Sequence, residues 1–270
     1  MQKVLNAAEL KQLHKIELEM LIEIDRICKK NKIKYTLIGG SLLGAVRHKG
    51  FIPWDDDADV AMLREEYDHF VEACEADLDK SRFYFQDMNA TEGYRWGYGK
   101  LRRKNTVFMR EGQEHMPYEQ GVFVDIFPGD AVPDKILLRK LHKFHCFCIR
   151  KIMWSEVGKN TDKSIIMRIL YKCLSTIPEK TIKQHINSFI RRCNKRNNDL
   201  VRTYLFPTRK GVYGYQREWY NNTEDILFEG ISLQGSIYRA EYLKRKFGDN
   251  YMELPPAEKR QCHPVSQFKV

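Results

Sequence analysis

Leu10, Leu13, Ile16, Met20, Ile24 and Ile27 recur at steps of three and four, and Leu21 widens the stripe. This period predicts an amphipathic helix from about Glu9 to Lys30, with Asn31 as its C-terminal stop. Ile33, Tyr35 and Leu37 then alternate with Lys34 and Thr36, the period of a strand. Gly39-Gly40-Ser41 interrupts the pattern, and Leu42 to Val46 reads as a short helix that ends near Gly50. Pro53 breaks local regularity, so residues 51–56 read as a loop into a second strand, Asp57 to Met62. From Arg64 to Asp79 a helix turns Tyr67, Phe70, Val71, Cys74 and Leu78 inward. Phe83 to Phe85, Arg95 to Leu101 and Thr106 to Met109 are strand-like. Gly121 to Phe127 is an apolar, β-branched run that holds a single acid, Asp125, and Pro128-Gly129 ends it.

After Pro133 helical periods take over. Leu137 to Trp154, Ile165 to Leu174 and Thr181 to Lys195 read as helices, separated by Gly158-Lys159-Asn160 and by Pro178. Residues 207–220 have no clear period and read as loop, Leu227 to Glu229 as a short strand, and Ala240 to Phe247 as a helix stopped by Gly248. The tail from Leu254 reads as irregular. Strands cluster early and helices late, so the fold class is α+β, a mixed sheet flanked by helices. Three regions follow: a core over 1–132, a basic helical region over 133–206, and a segment over 207–270 that packs back on the core.

Composition adds the size of that core and a charge asymmetry. With 270 residues, 43% hydrophobic and 30% charged, the chain buries a core without disulfides. No secretory h-region opens it and no run is long and apolar enough to span a bilayer, and the seven scattered cysteines fit a reducing cytoplasm. Net charge is +10, yet residues 135–217 hold 20 Lys and Arg against 4 Asp and Glu, a balance of +16 that leaves −6 for the rest. Such a basic region is either a solvated helix face or a surface for anionic partners.

The acidic part carries the chemistry. Side chains alternate along a strand, so Asp57 and Asp59 project to one side, Asp56 points elsewhere and Asp55 stays in the loop. Two carboxylates that close repel unless a cation lies between them, and Mg²⁺ takes carboxylate oxygens readily. Asp125, costly to bury unpaired in its apolar run, is the third carboxylate expected from a neighbouring strand. Gly39, Gly40 and Ser41 before a helix offer backbone N–H groups and a hydroxyl to a phosphate.

Gly39-Gly40-Ser41, then Asp57-Ala58-Asp59, then a lone Asp125 in a strand resembles the nucleotidyltransferase superfamily. The longer string GGSLLGAVRHKGFIPWDDDADVAM is similar to the LicD family, as are Lys100 within WGYGKL, the run GVFVDIFP and the tail FGDNYMELPPAEKRQCHP. The connector Arg47 to Trp54 lengthens the gap between glycines and aspartates beyond the generic superfamily spacing, and LicD-like proteins share it. No detailed match covers the helical middle.

The resemblance implies a nucleotidyltransferase-like sheet and a Mg-dependent transferase that moves phosphocholine, or a similar phospho-alcohol, from CDP-choline or another CDP-alcohol. A hydroxyl of a lipid-linked cell-surface glycan, teichoic acid or lipopolysaccharide precursor accepts it, and CMP leaves. Asp57, Asp59 and Asp125 are the expected catalytic residues and metal ligands, for two Mg²⁺ with Mn²⁺ as a substitute. Gly40 and Ser41, with Gly39, are expected at the diphosphate, and Arg47, His48 and Lys100 at the leaving CMP. Trp54, with Trp96, Tyr98, Trp219 and Tyr220, is available to cage a quaternary ammonium, and His263 in the tail is a further substrate-binding candidate. The expected setting is cytoplasmic and peripheral at the inner membrane face, against anionic lipid, with no nucleic acid. Two other readings stay open: a nucleotidyltransferase using an NTP on a small molecule, protein or RNA, and a non-catalytic module that binds polyanions or membranes.

Overall fold

A computed structural model describes residues 4–209 and 211–270. The chain runs through α1 (Ala7–Asn31), β1 (Thr36–Leu37), α2 (Gly39–Arg47), β2 (Asp59–Leu63), α3 (Arg64–Asp77), β3 (Phe83–Gln86), β4 (Gly99–Arg103), β5 (Val107–Arg110) and β6 (Phe123–Ala131). Three long helices follow, α4 (Ile136–Thr161), α5 (Ile165–Leu174) and α6 (Glu179–Asn194). The remainder is β7 (Leu200–Arg202), β8 (Tyr215–Gln216), α7 (Glu218–Asn221), β9 (Thr223–Phe228), β10 (Ile231–Ser236), α8 (Arg239–Phe247) and β11 (Val265–Lys269).

The main sheet has the order β3-β4-β6-β2-β1-β10-β9, with β7 and β8 added beside the far end of β6. β6 pairs parallel to β2 and β1 parallel to β10, while the other pairs are antiparallel, so the sheet is mixed. The largest core cluster joins α1, α2, α3 and the sheet. Leu13, Met20, Ile24 and Ile27 of the α1 stripe are wholly buried in it. A second cluster packs α4 and α6 against Tyr94, Tyr118 and Tyr204.

Several elements depart from the sequence pattern for identifiable reasons. β6 does not stop at Pro128-Gly129 but continues to Ala131. The Asp125 N–H bonds Ala58 O toward β2, so by alternation the N–H that Pro128 lacks would face the other edge. That edge is open there, because β4 pairs only as far as Ile126 and β7 begins at Asp130. Gly158-Lys159-Asn160 stays inside α4, where the Tyr171 ring packs against Gly158, and α1 runs through Asn31 to a left-handed Lys32 cap. Glu229-Gly230, both at positive φ, turns β9 into β10, a strand with no apolar run to mark it. The tail is not irregular throughout, since β11 pairs with β5.

Candidate active site

Ile38 follows β1 and sits at the N-cap of α2 without a side-chain capping bond. Gly39-Gly40-Ser41 is therefore the first turn of the helix and not a turn before it. Gly39 has φ +59°, and a Cβ there would lie 2.6 Å from Asp59 Oδ2. A Cβ on Gly40 would lie 2.1 Å from Asp55 Oδ2. The glycine pair thus leaves room for two carboxylates against a helix N-terminus, the positive end of its dipole. Both flanking polar groups are already engaged within the protein. The Gly39 N–H donates to Tyr242 Oη at 3.2 Å, and Ser41 Oγ accepts the Asp59 N–H at 2.8 Å.

Asp59 and Asp125 are register partners on the parallel pair β2 and β6, and Asp125 is in turn the partner of Lys100 on β4. Residues directly opposed across a ladder share a face, so Lys100, Asp125 and Asp59 form one polar row across the sheet. Lys100 Nζ bonds Asp125 Oδ1 and stands 3.3 Å from the Phe123 ring centre. Burial lowers the Lys100 pKa to about 8, against the pull of Asp125. This row, with Asp57, Arg110 and His263, lines a cavity of about 440 Å³. The β-strand proper starts at Asp59, yet Asp57 in the lead-in faces the same cavity.

Asp56 points the other way and is fully buried. His263 Nδ1 donates to Asp56 Oδ1 at 2.8 Å, the His263 N–H to Oδ2 at 3.0 Å, and Arg110 Nη1 also binds Oδ2. Burial opposes ionisation of Asp56, but His263 and Arg110 outweigh it and its pKa falls. The bond to Asp56 raises the His263 pKa. Among the described residues Asp56, Asp57 and His263 form the tightest group of potential ligands. Asp56 oxygens already accept three bonds, however, so its carboxylate acts as a tether for the tail.

The other carboxyls hold their protons more tightly than usual. Burial, then Asp57 and Asp56, raises Asp55 to about 7. Burial raises Asp57 against the opposing charge of Arg110, and burial with Asp57 and Asp125 raises Asp59 well above its ordinary value. Beneath them Glu17 of α1 is wholly buried, with neither carboxyl oxygen hydrogen-bonded, and its pKa is raised well above 4.5 by burial and then by Asp57, Asp56 and Asp55. This excess of crowded carboxyls over cations fits a hard divalent cation such as Mg²⁺, which relieves the repulsion.

The structure brings Asp57, Asp59, Asp125, Lys100 and His263 to one cavity, and leaves Gly39, Gly40, Ser41, Arg47, His48 and Trp54 off its lining. Arg47 Nη1 donates to Tyr251 O at 3.0 Å and Glu253 O at 2.9 Å. Trp54 packs edge-on with His48 and lies under the Arg260 guanidinium. The 47–54 connector is thus a seat for the C-terminal tail. The aromatics that do line the cavity are Trp96, Tyr98, Phe123, Phe127, Trp154 and Phe206, while Trp219 and Tyr220 are packed in the core. A second cavity of about 370 Å³ shares Trp96, Tyr98, Trp154 and Phe206 with the first. Sequence reasoning did not find Arg110, Trp154, Phe206 or Lys246, which lies beside Asp59. Arg110 closes a short apolar strand and could have been flagged by that position; the other three carry no local signal.

Residues 32–145, which contain α2, the aspartates and β6, match the profile described as LicD/FKTN/FKRP, nucleotidyltransferase domain. Along nearly its whole length the chain is similar to the lipopolysaccharide cholinephosphotransferase LicD of Haemophilus influenzae. The two are 29% identical over 265 residues, 94% of this chain and 95% of that one. The chain thus resembles the LicD family over that nucleotidyltransferase stretch and a LicD protein along most of its length. Short stretches are also similar to uncharacterized proteins of Rickettsia typhi, 44% identical over 52 residues, and Rickettsia prowazekii, 43% identical over 51. Each of those covers 19% of this chain and 17% or 19% of the relative. No helix among the described residues is long and apolar enough to cross a membrane.

Proposed function

We propose that the chain transfers phosphocholine, or a closely similar phospho-alcohol, from a CDP-linked donor to a hydroxyl of a lipid-linked cell-surface glycan precursor. The observation that carries this reading is the in-register pair Asp59 and Asp125, flanked by Asp57 and opening on a cavity walled by aromatic rings. The similarity to a lipopolysaccharide cholinephosphotransferase supports the choice of group and acceptor class. A teichoic acid precursor fits the same chemistry.

The acceptor oxygen attacks the phosphorus that bears the alcohol, the bond from that phosphorus to the bridging oxygen breaks, and CMP departs with the bridging oxygen. Asp57, Asp59 and Asp125 would hold Mg²⁺, with room in the reading for a second ion and for Mn²⁺. A bound ion would stabilise the attacking and leaving oxygens. Asp125 accepts the proton of the attacking hydroxyl. Lys100 and Arg110 balance negative charge at the cavity wall, and the low-dielectric surroundings strengthen that effect. Tyr98, Trp96, Trp154 and Phe206 offer ring faces to a quaternary ammonium.

A panel of CDP-choline, CDP-ethanolamine, CDP-glycerol and CDP-ribitol, set against ATP and CTP, tests the reading by mass spectrometry of products. Release of CMP with formation of a phosphodiester on a glycan acceptor is the expected result. Turnover of an NTP with none from any CDP-alcohol would overturn it.

A further inference from the structure

The helices α4 and α5 carry large apolar side chains outward. On α4, Leu137, Leu141, Phe144 and Phe147 fall on one stripe and are 44–69% exposed. On α5, Ile165, Ile166, Ile169 and Leu170 are 46–78% exposed. The two helices pack together: Lys151 of α4 stands 5.6 Å from the Phe147 ring centre and its Nζ donates at 2.7 Å to Oη of the buried Tyr171 of α5. A single exposed leucine needs no explanation, but eight large apolar side chains exposed on two packed helices mark an interaction surface.

Charge decides what the surface fits. Lys140, Lys143, Lys163, Arg168 and Lys172 lie on the same two helices and their connection, inside the region of balance +16. Two copies meeting through this face would set two basic rims against each other, which opposes self-association. A nucleic acid would match the rim and leave the aliphatic centre without a partner. An anionic bilayer matches both, with acyl chains for the centre and phosphates for the rim. At one end the apolar row runs into a cavity of about 320 Å³ where Leu138 and Leu141 meet Arg192 and Arg196. That pairing of aliphatic and guanidinium groups suits a phosphate headgroup above its acyl chains.

We infer that the α4–α5 face is a membrane-binding surface that lies on an anionic bilayer, with Leu137, Phe144, Ile166 and Ile169 entering the acyl boundary. The inference stands on exposure and charge and is independent of the transfer reaction.

Co-sedimentation of the full chain with vesicles tests it. One set is phosphatidylcholine alone and the other is phosphatidylcholine with an equal part of phosphatidylglycerol, each at low and high salt. Binding to the anionic set, weakened by salt, is expected. A variant with Leu137→Ser, Phe144→Ser, Ile166→Ser and Ile169→Ser should partition at least about tenfold more weakly, with circular dichroism and melting unchanged. Failure of the wild type to bind either vesicle overturns the inference. So does a variant that binds as the wild type does, which would leave charge alone as the cause. A wild-type dimer that the four substitutions dissolve would assign the face to a second copy.

Discussion

On the proposed mechanism the two decisive residues are Asp59 and Asp125, and their neighbours explain why. Each is a carboxylate on a central strand of the sheet, and each has one lysine near it, Lys246 and Lys100. Asp59→Asn and Asp125→Asn keep the side-chain shape and remove a charge from a crowded set. Turnover with Mg²⁺ should fall by on the order of 10²–10⁴, while circular dichroism and melting hold or improve. Near-normal turnover in either variant would remove that residue from the reaction. Glu17 poses a different question, since it is buried without a partner below the same loop. Its folded pKa lies well above the ordinary 4.5, so above 4.5 the folded state holds on to a proton that the unfolded chain releases. The stability tied to that proton is fully present below 4.5 and is lost as pH rises toward the folded value. Glu17→Gln has no proton to take up. Measured by urea in EDTA, it should match the wild type at about pH 4 and gain on it at about pH 8. Parallel stability profiles would show that Glu17 titrates as it does in the unfolded chain.

At the scale of elements, α2 and the connector after it decide how the acidic loop is held. Because a Cβ on Gly40 would meet the Asp55 carboxylate, Gly40→Ala should destabilise the fold by about 1–3 kcal/mol, read as a lower urea midpoint with an unchanged slope. An unchanged midpoint would mean that Asp55 swings away freely. The connector is also where sequence reading was least able to place side chains. The strand alternation at Asp57 and Asp59, and a lone acid in an apolar run, are local signals, and the structure sets those residues around one cavity. Arg47, His48 and Trp54 sit in the same resembling string, but Arg47 and Trp54 touch Tyr251, Glu253 and Arg260, some two hundred residues away, and His48 packs on Trp54. Nothing local tells a chain position that the tail will return to it. The same holds for β11 and for the β10 edge that pairs with β1, where the partner is remote in sequence and the strand's own pattern is mixed. Pro128 misled for the opposite reason: its local meaning as a breaker is sound, and only the gap between β4 and β7 makes it harmless. The tail tether itself is testable. His263→Ala removes a donor from buried Asp56 and leaves Arg110 as its remaining charged partner, so melting should fall while far-ultraviolet circular dichroism holds.

For the molecule as a whole, the acidic cluster makes stability a function of pH and of divalent cation together. Asp55 titrates near 7, and Asp57 and Asp59 are also raised, so without a cation the folded state retains protons that the unfolded chain has released. The stability tied to those protons is complete below the ordinary carboxyl value of 3.8 and declines as pH climbs through about 7 and beyond. A divalent cation competes with the protons for the same oxygens, so its apparent affinity should rise over that range. The expected record is a melting temperature in EDTA that drops between about pH 5.5 and about pH 8.5, and a Mg²⁺-induced rise that grows over the same interval. For a chain of this length each kcal/mol of coupling moves the midpoint by about 2–4 °C, which scanning fluorimetry resolves. Asp59→Asn should flatten both curves, because it removes a carboxyl raised well above its ordinary value and one proposed ligand at once. A Mg²⁺ shift independent of pH, or one that Asp59→Asn leaves intact, would place any bound cation elsewhere, with Asp56, Asp57 and His263 the next group to test.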